Sequence, residues 1–160
     1  MLWKTHIMGG IVAGALFLPY CNLGDATSQA AFVTCAGVGA LLPDIDSSCS
    51  KLGRMIWPVS KTIQTIFGHR QIFHSLLMAA LLYGCLYFFW PLYAMPIMAG
   101  FISHLVLDSF NPEGVAWLYP LPFRVAIPLA ITGGIVEKIC FLVLTVGAVG
   151  LLTNIGKGYF

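Results

Sequence analysis

Between residues 75 and 107 the chain carries no Asp, Glu, Lys or Arg, and one histidine, His104. A bilayer is crossed by about 20 predominantly apolar residues in a helix, so this run is too long for one ordinary crossing. Trp90, Pro91, Tyr93 and Pro96 lie near its middle, where interfacial aromatics and proline mark a turn. The run therefore reads as two spans, 75–91 and 93–110.

Other stretches repeat the pattern. Residues 7–23, 26–43 and 135–155 are long and largely apolar. Lys4 ahead of the first run imitates a secretory signal, but further spans follow it rather than a water-soluble domain, so it reads as a first transmembrane helix. Charged residues make up only 9% of the chain, against about 25% in a soluble domain, so lipid must be the main solvent. The expectation is an all-α, polytopic membrane helix bundle of about five spans, forming a single membrane-embedded domain over residues 1–160.

Residues 51–68 differ. They mix Lys51, Arg54 and Lys61 with Leu52, Ile56, Trp57, Ile63 and Phe67, which suits an amphipathic segment lying in the interface plane, broken or bent at Pro58. Residues 111–133, with Pro112, Pro120, Pro122 and Pro128, read as a loop that returns toward the membrane. The five cysteines show no C-x-x-C pair and read as unpaired thiols. A net charge of +2 with no basic cluster argues against nucleic acid as a partner.

With five spans, Lys4, Lys51, Arg54, Lys61, Arg70, Arg124 and Lys138 fall on the N-terminal side and Lys157 alone on the other. The positive-inside rule then places the N-terminus in the cytoplasm and the C-terminus outside.

On that topology the costly side chains gather. His6 begins the first span, and Asp44 and Asp46 end the second in LLPDIDS. His69, Arg70 and His74 in GHRQIFHS precede the third, His104 and Asp108 close the fourth in SHLVLD, and Glu137 opens the fifth. All the histidines and most of the acids thus meet at one membrane face. Imidazole nitrogen and carboxylate oxygen with no thiolate among them suit zinc, with manganese or iron as alternatives, as one or two divalent ions. His104 and Asp108, spaced i and i+4, share one helical face. Taken singly, each has a plainer reading: His6 as an interfacial side chain, the two Asp as caps of a following helix, His104 with Asp108 as a hydrogen-bonded pair, Arg70 as an anchor, Glu137 as a solvated helix start. Together these readings leave the confinement to one face unexplained.

In order and spacing, LLPDIDS, FGHRQIFHSLL and GFISHLVLDSFNPEGVAWLYPL resemble the LexA-regulated, membrane-bound metal-dependent hydrolases of the bacterial inner membrane. The likeness runs from His6 to about Glu137 and marks His6, Asp44, Asp46, His69, Arg70, His74, Ser75, His104, Asp108 and Glu137. Phe73 and Asn111 stand where that pattern commonly has Thr, which changes the hydrogen bonding around the site. A fainter likeness, His104-x-x-x-Asp108 followed by Pro112, is to the zinc-dependent phospholipases C, and it points to phosphoester chemistry.

The resemblance and the residues together suggest a hydrolase at the cytoplasmic leaflet, with His6, Asp44, Asp46, His69, His74, His104 and Asp108 as metal ligands. Arg70 would grip a phosphate through its planar fork. Glu137 would be a further ligand or a general base, and His74 a ligand or the acid for the leaving group. The expected partners are membrane lipid and a lipid-like substrate: first a phospholipid or lipid phosphate, second a lipid amide or ester. The rival class is a transporter for divalent metal or protons built on the same cluster, and a purely structural membrane subunit ranks last.

Overall fold

The computed structural model describes residues 1–157. Five longer helices stand where the five apolar runs were read: α1 (Trp3–Phe17), α2 (Ala26–Gly39), α5 (Leu76–Phe89), α6 (Pro91–Ser109) and α7 (Ile135–Gly156). Two shorter helices, α3 (Lys51–Met55) and α4 (Trp57–Phe67), lie between α2 and α5. Among the described residues the only β pairing is an isolated bridge between Val115 and Val125, so the fold is an all-α membrane bundle.

Three segments are long and apolar enough to cross a membrane by themselves: Ala26–Asp46, Pro91–Ser109 and Ile135–Gly156. At about 1.5 Å per residue the shortest of them, 19 residues, rises about 28 Å, close to a hydrocarbon core of about 30 Å. Leu76–Phe89 is a shorter apolar helix of 14 residues, and α1 has 15. Both end earlier than the sequence runs suggest. α1 stops at Phe17 because Pro19 follows within a 3-10 turn, Leu18–Tyr20. α5 stops because Trp90 takes an extended φ of −144° ahead of Pro91.

Prolines resolve differently from expectation. Pro91 opens α6 in its first turn, where a missing N–H costs nothing. Pro96 does not mark the turn; it is buried inside α6. Pro58 likewise sits in the first turn of α4, and the break between α3 and α4 falls at Ile56.

The centre of the bundle is the meeting of α1, α2 and α6, with α7 against α1 and α5 against α6. Small residues permit this. Ala36 on α2 is fully buried, and a Cβ added at Gly10 or Gly14 of α1, or at Gly100 of α6, would collide with its backbone or side chain. Three helices therefore approach one point, the close packing that small residues allow in lipid, where dispersion rather than water drives association. Outside this contact the surface is oily: α7 exposes Leu142, Val143, Val146 and Val149. All five cysteines are free.

At the end of the bundle where α1 begins and α6 ends, a 3-10 turn (Pro43–Asp46), the α3–α4 segment, a second 3-10 turn (Ile72–His74) and the loop 110–134 form a cap over the helices. This cap positions the polar cluster.

Candidate metal centre

Each side chain of the cluster is delivered by a helix end or a tight turn. His6 lies on the second turn of α1, and His104 and Asp108 lie on the last turns of α6. The turn Pro43–Asp46, opened by a proline that suits a first helical position, carries both Asp44 and Asp46. Ser50, not the two aspartates, caps α3, its hydroxyl accepting from the Gly53 N–H at 2.8 Å.

GHRQIFHS turns through two residues of positive φ. Gly68 ends α4 at φ +75°, and Arg70 follows at φ +57°. The left-handed region costs a non-glycine residue roughly 1–2 kcal/mol, so something must hold Arg70 there. Asp46 does: its Oδ2 accepts from the Arg70 backbone N–H at 3.0 Å. The same carboxylate meets His69 Nδ1 at 2.7 Å and His74 Nδ1 at 3.1 Å. Ser75 then caps α5, accepting from the Met78 N–H at 3.2 Å.

His74 Nε2 and His104 Nε2 lie 3.2 Å apart. Asp108 Oδ2 is 3.6 Å from the latter and 3.8 Å from the former, and Asp44 Oδ1 is 3.9 Å from His104 Nε2. Protonation states follow from the other ring nitrogens. His104 Nδ1 is 2.7 Å from the Ala40 carbonyl, which can only accept, so Nδ1 carries the proton. His74 Nδ1 faces the Asp46 carboxylate and carries one for the same reason. The two Nε2 atoms then face each other beside carboxylates. Bare lone pairs in this position would repel, and a proton on one Nε2 or a metal ion shared by both would relieve that repulsion. Burial holds the His74 imidazole below its usual pKa, which disfavours placing that proton on His74.

The spacing also suits a metal. Zinc–nitrogen bonds of about 2.0–2.1 Å at a tetrahedral angle separate two donor nitrogens by roughly 3.3–3.4 Å. Two overlapping donor sets bring their ligand atoms within 4.8 Å of one another: His6, His104 and Asp108, all buried, and Asp44, His74 and His104. His6 stacks on His104 with ring centroids 3.8 Å apart and planes 16° from parallel. Its Nε2 is 3.3 Å from Asp108 Oδ1, yet both its nitrogens are buried without a hydrogen-bond partner. An unsatisfied buried imidazole is costly, and a ligand role would remove the cost.

Asp108 also faces cations of the chain. The Met1 ammonium lies 2.7 Å from Oδ1 and Arg70 Nη2 lies 2.9 Å from Oδ2. Arg70 Nη1 reaches the exposed Glu113 at 3.1 Å without hydrogen-bond alignment, and Arg70 Nε is buried without a partner.

Not every residue marked in the sequence stands among the converging donors. Asp46, expected as a ligand, spends both oxygens on His69, His74 and the Arg70 backbone; it orients histidines instead. His69 lies outside both donor sets, its side chain about one-third exposed. Glu137, expected as ligand or base, is buried and accepts from the Leu2 N–H, the Gly133 N–H and the Thr5 hydroxyl. It pins the start of α1, and with it His6. Asn111 donates to Thr132 Oγ1 at 2.9 Å, whereas Phe73 packs edge-on against Phe67. Three participants went unmarked in the sequence: the Ala40 carbonyl, Thr5 and Glu113. A backbone acceptor leaves no residue-type signal, and Thr5 and Glu113 are ordinary polar residues until the fold pairs them.

Over residues 1–157 the chain matches the family described as YdjM inner membrane protein. It is 34% identical over 151 residues to the Bacillus subtilis (strain 168) protein YvsG, described as uncharacterized, covering 92% of each chain. It is 35% identical over 141 residues to the inner membrane protein YdjM of Escherichia coli (strain K12), covering 82% of this chain and 71% of that one, and equally to YdjM of Shigella flexneri. No solved structure matches the chain. Family match and apolar helices agree on a bacterial inner membrane protein, and the chain belongs to the YdjM inner membrane protein family.

Proposed function

We propose that this protein is a metal-dependent hydrolase of the inner membrane that cleaves a phosphoester of a phospholipid or lipid phosphate at the cytoplasmic leaflet. The observation that carries the reading is the His74–His104 pair, whose Nε2 atoms face each other at 3.2 Å while each Nδ1 is committed to an oxygen. His74, His104, Asp108, His6 and Asp44 would hold the ion, zinc best matching nitrogen and carboxylate donors without a nearby thiolate. When bound, such an ion supplies Lewis acidity toward a phosphoryl oxygen and lowers the pKa of water to about 7.

The chain's own groups supply the rest. Asp46 fixes the ring orientation and tautomer of His74, the usual duty of a carboxylate behind a ligand histidine. Arg70 holds Asp108 through Nη2 and keeps Nε and Nη1 for a phosphate oxygen, with Glu113 as the group displaced. His69, partly exposed and tied to Asp46, is placed to give a proton to the leaving oxygen, a role that His74 cannot take while its Nε2 faces the donors. Lys4 and Lys51 lie over the Trp3 ring, 5.7 and 6.0 Å from its centroid, and add positive charge where an anionic lipid head group would arrive. The cytoplasmic orientation rests on the basic residues, Lys157 alone falling on the far side.

The test is lipid-phosphate release by the purified protein in nanodiscs. Release should require a divalent metal, disappear on chelation, return with zinc, and be abolished in His104→Ala. Failure of the metal-loaded protein to release phosphate from any phospholipid or lipid phosphate would overturn the reading. Metal flux into proteoliposomes without turnover would replace it with transport.

A further inference from the structure

An apolar groove of about 460 Å³ runs through the membrane-spanning part of the molecule between α1 and α6, with one residue each from α5 and α7 on its flanks. Pockets that bury small ligands span about 300–1,000 Å³. Its walls include Gly9, Ala13 and Phe17 on α1 and Ala99, Ser103 and Leu107 on α6. The two helices run antiparallel, so Gly9 and Leu107 mark one end and Phe17 the other.

The near end abuts the candidate metal centre. Gly9 lies three residues from His6, about 4.5 Å along the axis, and Ser103 and Leu107 directly precede His104 and Asp108. Leu107 fills the notch left by Gly9, where a Cβ would meet Leu107 Cδ1 at 2.5 Å. Leu107 thus closes on Gly9 at the end of the groove next to the polar cluster. A second apolar cavity of about 400 Å³ lies on the other side of α1, against α2 and α7. It takes no lining residue from α6, the helix that bears His104 and Asp108.

We infer that the α1–α6 groove holds one acyl chain of the lipid substrate, so that the chain lies along α6 and the head group is set down at His104 and Asp108. The occupant follows from place and composition: the groove opens within the bilayer, where the surrounding solvent is hydrocarbon, and the hydroxyls among its lining residues are Tyr83 on the flank and Ser103, which already donates to the Gly100 carbonyl at 2.7 Å. The rest of the wall is apolar and would leave the groups of a polar ligand largely unpaired. Only the choice of occupant rests on the hydrolase reading.

Photolabelling tests the groove without needing turnover. The full-length protein in nanodiscs is irradiated with phosphatidic acid carrying a diazirine at the end of one acyl chain, and adducts are mapped by mass spectrometry. Adducts should concentrate at Phe17 and Met95 over the outward face of α7 (Val143, Val146, Val149). Ala99→Phe and Ala13→Phe, which fill the groove, should each lose them, so that either variant carries the test if the other fails to fold. Ala30→Phe, which lines the second cavity, should keep them. Equal labelling of groove and α7 face, or groove adducts that survive filling, would overturn the inference. Selective labelling without phosphate release would overturn the hydrolase reading alone; phosphate release with unselective labelling would overturn the groove alone.

Discussion

The two ends of this bundle handle polar groups in opposite ways. At the end near residue 25, Asp25 caps α2, accepting from the Ser28 N–H and hydroxyl, each at 2.7 Å. The partners are three residues apart and exposed to their surroundings, and the interaction would form in an isolated helix. At the other end Asp46 accepts from partners 23, 24 and 28 residues away, and it is fully buried. One arrangement ends a helix. The other collects a loop, two histidines and a strained arginine around one point, and it buries charge to do so. Buried ionisable groups cost several kcal/mol unless something compensates; Asp46 finds that compensation in its three donors, whereas both buried nitrogens of His6 nearby are left without a hydrogen-bond partner.

Substitutions at the two ends should therefore differ in kind. The largest effect is expected from His104→Ala and Asp108→Ala, each of which removes a donor shared by the converging set: bound divalent metal and lipid-phosphate release should both be lost, read by elemental analysis and by phosphate assay. Asp46→Asn should be graded rather than absolute. It keeps the shape but loosens the hold on His74 and His69, and metal affinity measured by competition with a chelator should fall about 10–100-fold. Glu137→Gln separates support from chemistry. It should lower stability by about 1–3 kcal/mol through weaker acceptance of buried donors while some turnover remains, whereas a general base at this position would make the loss of turnover nearly complete.

Smaller effects belong to the parts of the molecule away from the cluster. Gly14→Val adds atoms where a Cβ already meets Ala36 Cβ at 2.7 Å, and it should cost about 1–3 kcal/mol in unfolding experiments without changing metal content in the folded fraction. Asp25→Ala should shift the unfolding midpoint least of all and leave both metal and turnover intact. If Asp25→Ala emptied the site, or Asp46→Asn left it unchanged, the contrast between the two ends would fail.

Much of this was legible in the sequence because lipid imposes simple rules. Long runs free of charge mark helices, and the few charged residues stand out against them. The convergence of His6, Asp44, His74, His104 and Asp108 could be read from topology alone, since each lies at the same end of its span. Roles were harder. Asp46 and Asp44 are two residues apart in one turn, yet one points its oxygens at histidine Nδ1 atoms and the other toward Nε2 of His104. A single 3-10 turn decides this, and residue types carry no trace of it. Glu137 shows the same limit: its position at a helix start suggested chemistry, and its three donors assign it to holding α1. Pro96 misled because a proline near a turn and a proline inside a helix have the same spelling; Trp90 and Pro91 alone mark the break.

The central claim is that His74 and His104 share a cation. Elemental analysis of protein purified without added metal, and washed in mild chelator, tests it most directly when wild type is set beside the His74→Ala, His104→Ala double variant. A shared cation predicts a tightly held divalent metal, zinc first, in the wild type and its loss in the variant at equal helical content. A folded wild type that carries no divalent metal and binds none on addition, or a double variant that keeps its metal, would contradict it.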